Sequence, residues 1–71
     1  MERERVNSSN IAAIGHSAER SVLEVEFLSG SIYEYYDVPE CIYHDLMNAD
    51  SKGKYLNEFV KKAGYAYLKI R

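Results

Sequence analysis

This chain of 71 residues has one cysteine, one proline, no tryptophan and no long apolar run. The lone cysteine, Cys41, excludes an internal disulfide framework and fits a reducing compartment. No apolar stretch approaches the roughly 18 residues that span a bilayer. The opening MERERVNSSN has no signal-peptide core. A cytoplasmic protein with no membrane partner is therefore expected. The chain is also too short for a second domain, and a domain of this size buries only about 60% of the surface its unfolded chain exposes. Seven tyrosines and two phenylalanines offset that thin core, because each buried aromatic removes about 150–250 Å² from water. With 46% hydrophobic and 28% charged residues, the balance is that of a globular chain rather than a disordered one.

Basic residues are scarce in most of the chain. Residues 1–50 carry three basic side chains against ten acidic ones, a local charge of −7, whereas residues 51–71 carry six against one, or +5. The domain is dipolar, with an anion-facing region if folding keeps those lysines together. The formal net charge of −2 disfavours a protein that wraps duplex DNA by charge alone.

Residues 1–8 lack an apolar period and read as a flexible N-terminal arm, leaving residues 9–71 as one domain. The run NIAAIGH (Asn10–His16) followed by the polar stretch Ser17–Ser21 suggests a strand and a turn. In VLEVEFL, Leu23, Val25 and Phe27 alternate with Glu24 and Glu26, the pattern of a half-buried strand. Ser29-Gly30 turns the chain into SIYEYY, the returning strand of a hairpin. Two registers compete. A two-residue loop pairs Phe27 with Ile32 and sends Tyr33 and Tyr35 to the glutamate face. A three-residue loop with Gly30 in a bulge pairs Val25 with Tyr33 and Leu23 with Tyr35. The second is favoured, since it gathers five large apolar-bodied residues on one face. Tyr33 and Tyr35 are then sheet core rather than a base-stacking platform.

Val38-Pro39 marks a switch to helix, with Asp37 placed to cap it. Ile42, Leu46 and Ala49 follow at helical spacing, flanked by Tyr43 and Met47. After the break DSKG, a second helix carries Leu56, Phe59, Val60 and Ala63 at i, i+3, i+4, i+7, with Gly64 as its stop. The tail YAYLKI alternates again, Ala66, Leu68 and Ile70 on one face and Tyr65, Tyr67, Lys69 and Arg71 on the other. The fold class is α+β: a small antiparallel sheet, an N-terminal meander plus a C-terminal strand, with two short helices on one face.

These residues together resemble the KTSC domain. The resemblance rests on Ser8-Ser9, Ile14-Gly15, the L-x-V-x-F of Leu23, Val25 and Phe27, Gly30, the Y-x-Y of Tyr33 and Tyr35, and Val38-Pro39. It continues through Ala49, Ser51, Gly53, Tyr55 and Asn57 to Tyr65, Tyr67, Lys69 and Ile70, and so spans Val6 to Ile70. The chain departs from the family pattern at His16-Ser17 and at Leu56. The family is named for the C-terminus of some lysyl-tRNA synthetases and also occurs as stand-alone bacterial and phage proteins. The resemblance implies a module of unassigned function, with RNA as the suggested ligand.

The residues themselves offer three places for chemistry. Ser51-Lys52-Gly53-Lys54 sets two ammonium groups and free amides at the start of a helix, where exposed lysines oppose the dipole by about 0.3–1 kcal/mol each. That is a phosphate site in outline, although the P-loop pattern is absent. The structural reading is that Ser51 caps the helix and Gly53 permits a tight turn. The last strand, with Tyr65, Tyr67, Lys69 and Arg71, alternates aromatic and basic residues as sheets that hold single strands do. The glutamates expected on the same face would repel phosphate, so an edge built from the second helix and the last strand is the better candidate. Cys41 and His44, at i and i+3 beside Asp45, fall short of the four ligands of a structural zinc site. They also lack the orienting group and oxyanion hole of a nucleophile pair.

No enzyme activity, metal or cofactor is therefore expected. The expected partner is RNA, tRNA-like in kind, bound by Lys52, Gly53, Lys54, Lys61, Lys62, Tyr65, Tyr67, Lys69 and Arg71. The alternative is a protein-interaction module or homodimer using a sheet edge and the exposed tyrosines.

Overall fold

The computed structural model describes residues 2–71. Five strands, β1 (Glu4–Arg5), β2 (Ile11–Ser17), β3 (Val22–Phe27), β4 (Ile32–Tyr36) and β5 (Tyr67–Lys69), lie side by side in chain order. Every neighbouring pair is antiparallel. Between β4 and β5 run α1 (Glu40–Asn48) and α2 (Lys52–Leu56), the latter continuing into a π-helical turn over Asn57–Lys61. No helix among the described residues is long and apolar enough to cross a membrane.

The hairpin takes the bulged register. Val25 faces Tyr33 and Leu23 faces Tyr35, and Gly30 adopts a φ of 97° that side-chain-bearing residues rarely reach. The Phe27 N–H donates to the Ser31 carbonyl at 2.8 Å, and the Gly30 N–H donates to the Phe27 carbonyl at 2.9 Å, closing the three-residue loop. Leu23, Val25 and Tyr35 thereby join Ile11, Ile14, Val38, Leu46, Leu56 and Val60 in one buried cluster between sheet and helices. A bulge between Ile11 and Ala13 shifts the β2–β3 register. Strict alternation would send Ile11 and Ile14, three residues apart, to opposite faces. With the extra residue both are fully buried in the same core.

Four expectations need correction. Asp37 does not cap α1: it sits at φ 60°, and the helix begins after Pro39 with no side-chain cap. The chain leaves β4 through this left-handed residue, which places Asp37 two positions before the cap. Phe59 and Ala63 are exposed, because the π-helical turn widens the spiral and rotates them off the face that holds Leu56 and Val60. The loose arm at residues 1–8 contains β1, and Val6 packs against the core. A side chain at Gly15 would collide with the Glu2 carbonyl, so this glycine lets the N-terminal segment lie close over β2. Finally, the last strand turns the opposite way: Leu68 lies opposite Glu34, on the face away from the helices, and is 55% exposed, with Ile70 45% exposed. Ser51 does cap α2, its Oγ accepting from the Lys54 N–H at 3.4 Å, and Gly64 ends the helical segment at φ 87°.

Candidate nucleic-acid interface

The register of β5 decides which face its aromatic residues occupy. Tyr67 lies opposite Tyr35 and Lys69 opposite Tyr33, while Leu68 lies opposite Glu34. Partners across an antiparallel ladder share a face, so Tyr67 and Lys69 stand on the helix side of the sheet, away from the glutamates. Sequence alternation alone had set them on the glutamate face.

A groove of about 480 Å³ opens at the hairpin end of the sheet. Phe27, Tyr33, Tyr35, Tyr65 and Tyr67 line it, and Ser29, Ser31 and Lys61 complete the lining. The rings form a continuous surface. Phe27 meets Tyr33 edge-on with centroids 5.7 Å apart, and Tyr33 lies nearly parallel to Tyr35 at 6.3 Å. Tyr67 is tilted by 45° and 41° to these two tyrosines, at 6.0 and 5.8 Å. The Lys61 ammonium sits 5.3 Å from the centroid of the Phe27 ring, within cation–π range.

Among the described residues, no carboxylate lines the groove. Glu24, Glu26 and Glu34 belong to the other face, where Arg3 pairs with both Glu24 and Glu26 and Glu34 accepts from the Tyr36 hydroxyl at 3.0 Å. The sheet thus separates an acidic, arginine-bridged face from an aromatic, lysine-flanked one.

Of the residues expected from sequence to bind, Lys61, Tyr65 and Tyr67 line the groove and Lys69 stands beside Tyr33. Lys62 is 3.2 Å from Glu58, and Arg71 turns to Glu26 at 3.6 Å and to the Gly30 carbonyl at 3.2 Å. Lys52 lines a separate, smaller cleft with Ser8, Asp50 and Ser51, and its ammonium donates to the Ala49 carbonyl at 3.2 Å. A Cβ at Gly53 would lie 2.6 Å from the Asn10 side-chain oxygen. The SKGK turn is therefore a joint in which Ser51 caps and Gly53 admits Asn10, and Lys54 does not line the groove. Sequence reasoning missed Phe27, Ser29 and Ser31 as groove residues. The bulged hairpin register was the available signal, since it already placed Phe27 and Tyr33 on one face.

Burial, then the neighbouring Tyr33 and Tyr67, push the Tyr35 hydroxyl up to about 12. Tyr35 therefore stays neutral, a hydrogen-bond donor, at any physiological pH. Its folded-state value exceeds the unfolded one, so the stability it confers is complete below pH ~10. That stability is lost as pH rises toward 12. The loss amounts to about 2–3 kcal/mol. Urea melts between pH ~9 and ~12 should show this decline, and Tyr35→Phe should flatten part of it. An unchanged profile in Tyr35→Phe would assign the decline to other groups.

The architecture is that of a small α+β domain, a five-stranded meander with two helices inserted before its last strand and an open aromatic groove at one corner. The chain belongs to the KTSC domain family, whose model matches residues 7–67. It is similar in structure to a KTSC domain protein from Yersinia pestis, with a TM-score of 0.92 and 33% identity over 99% of this chain and 97% of that one. An uncharacterized protein of Stutzerimonas stutzeri (strain A1501) is 39% identical over 70 residues, 99% of each chain. A lysine–tRNA ligase of Nostoc punctiforme is 43% identical over 53 residues, which are 75% of this chain but 9% of that enzyme. The KTSC domain thus occurs both alone and inside a tRNA synthetase.

Proposed function

We propose that this KTSC protein is a small non-catalytic module that binds RNA, tRNA-like in kind, along the edge made by the end of the second helix and the last strand. The observation that carries the reading is the groove: stacked and tilted aromatic rings flanked by Lys61 and Lys69, with no carboxylate among the described residues of the lining. Aromatic faces beside ammonium groups are how nucleic acid strands are held on a sheet. The related segment inside a lysine–tRNA ligase, an enzyme that acts on tRNA, supports it.

An amide-resolved NMR titration of the isotope-labelled chain with a mixed tRNA pool tests the reading. At low salt, shifts are expected at residues 61–69 and at Phe27 and Tyr33, fading by about 200 mM salt. The double variant Lys61→Gln/Lys69→Gln should bind more weakly and lose about 0.7–0.9 of salt-dependence slope per lysine. Absence of shifts at low salt would reject RNA. If line widths instead grew with protein concentration, the exposed Tyr67, Leu68 and Ile70 of the sheet edge would mark a self-association surface.

A further inference from the structure

Resting on the RNA reading of this groove, we infer that its ligand is an unpaired nucleotide, the base stacked against Tyr67 and the flanking phosphates facing Lys61 and Lys69. Three observations lead there. First, cations are few where the aromatics are many. Of the six basic residues in the C-terminal third, Lys62 and Arg71 face carboxylates, Lys52 donates to a backbone carbonyl in another cleft, and Lys54 lies on the Ser51-capped turn outside the groove lining, which leaves Lys61 in the lining and Lys69 opposite Tyr33. Two lysines beside five aromatic rings make a weak phosphate clamp, so most of the affinity has to come from stacking. A duplex keeps its base faces inside and presents phosphates and sugars. It therefore offers these rings nothing to stack on.

Second, Tyr67 is placed to receive a ring. It is 63% exposed, although it stands next to two tyrosines that are half-buried and buried. Its tilt of 41–45° to them leaves the cleft open on the solvent side instead of closed by a parallel stack. Third, the groove of about 480 Å³ falls within the roughly 300–1,000 Å³ of small-molecule sites. Ser29 and Ser31 also line it, and a serine hydroxyl both donates and accepts. Such groups suit the edge of a base or a ribose 2′-hydroxyl, which paired RNA shows only in its shallow minor groove.

The test compares one fluorescently labelled RNA of about 12 nucleotides, free of self-complementarity, with the same strand annealed to its complement. Binding of the full chain to each is followed by anisotropy at low salt. The single strand is expected to bind at least about tenfold more tightly than the duplex. Tyr67→Leu should weaken single-strand binding by about fivefold to a hundredfold, the range of one lost stacking contact. Tyr67→Phe, which keeps the ring, should retain it, and a thermal melt checks that both variants stay folded. Equal or tighter duplex binding would overturn the inference while leaving RNA binding in place, and so would a silent Tyr67→Leu with weakened Lys61→Gln. Failure of both RNAs to bind would overturn the RNA reading itself.

Discussion

Leu23→Ala is expected to leave little folded protein at 37 °C, a temperature at which stability margins are only a few kcal/mol. Leu23 is fully buried on β3, the central strand, with His16 opposite it on β2 and Tyr35 opposite it on β4. It belongs to the cluster in which the sheet meets Leu46, Leu56 and Val60 of the helical layer. Truncating a leucine in such a site costs about 2–5 kcal/mol, the lost transfer free energy plus the cavity left behind. Domains under roughly 70–80 residues seldom hold more than about 3–5 kcal/mol in total. The variant should therefore melt at least about 10 °C below the parent, followed by circular dichroism. Leu68→Ala, at an exposed position of the edge strand, should stay within about 0.5 kcal/mol of the parent. A small shift for Leu23→Ala would mean that the core can collapse around the gap, contrary to the tight contact of its two layers.

The same contrast shows what the amino-acid pattern reveals and where it stops. Alternation in 22–28 and 31–36, with Gly30 between, selects the hairpin register, because only one pairing puts all the large apolar bodies on one side. Ser51 reads as a helix cap by its chemistry, and it is one. The features that alternation cannot reveal are set by contacts distant in sequence. β1 has two residues and no apolar period. It pairs with β2 at the place where Gly15 clears the way for the N-terminal backbone and where Arg3 reaches glutamates 21 and 23 residues away. The bulge at the start of β2 and the π-helical turn each insert one residue into a period, and local composition marks neither.

The candidate site was legible in its residues but not in its face. Charge and aromatic content pointed to Lys61, Tyr65, Tyr67 and Lys69. Whether Tyr67 looks toward the glutamates or toward Tyr35 depends on the β4–β5 register, which joins segments separated by both helices. How far the helices cover the sheet is equally invisible in a one-dimensional pattern, and that extent leaves Phe27, Ser29 and Ser31 bordering an open groove. Lys62, Lys52 and Arg71 counted toward the basic third by composition alone. In three dimensions their ammonium and guanidinium groups face a carboxylate, a carbonyl and both in turn.

Arg3→Ala is the second large effect expected, although Arg3 lies in the segment whose sequence reads as a flexible arm. Glu24 is 6% exposed, faces Glu34 across β3–β4, and pairs with the Arg3 guanidinium, whose Nε also lies 3.3 Å from Glu26. Removing the arginine leaves a nearly buried carboxylate without its partner and opposite a like charge, an arrangement that is destabilising on a ladder. Breaking a fully buried pair costs about 3–5 kcal/mol. The Arg3 side chain keeps 28% of its exposure, so water screens part of the interaction and about 2–3 kcal/mol is the expected loss. The double variant Arg3→Met/Glu24→Met, apolar on both sides, should recover most of it, because the desolvated charge is then gone. Urea denaturation of the single and double variants closes the cycle. A loss below about 0.5 kcal/mol for Arg3→Ala would mean that residues 2–5 leave the sheet in solution and water reaches Glu24. On the proposed RNA reading Arg3 also bears on binding, since it neutralises the acidic face behind the groove. A folded Arg3→Ala protein should therefore hold RNA somewhat more weakly at low salt, and salt should narrow the difference.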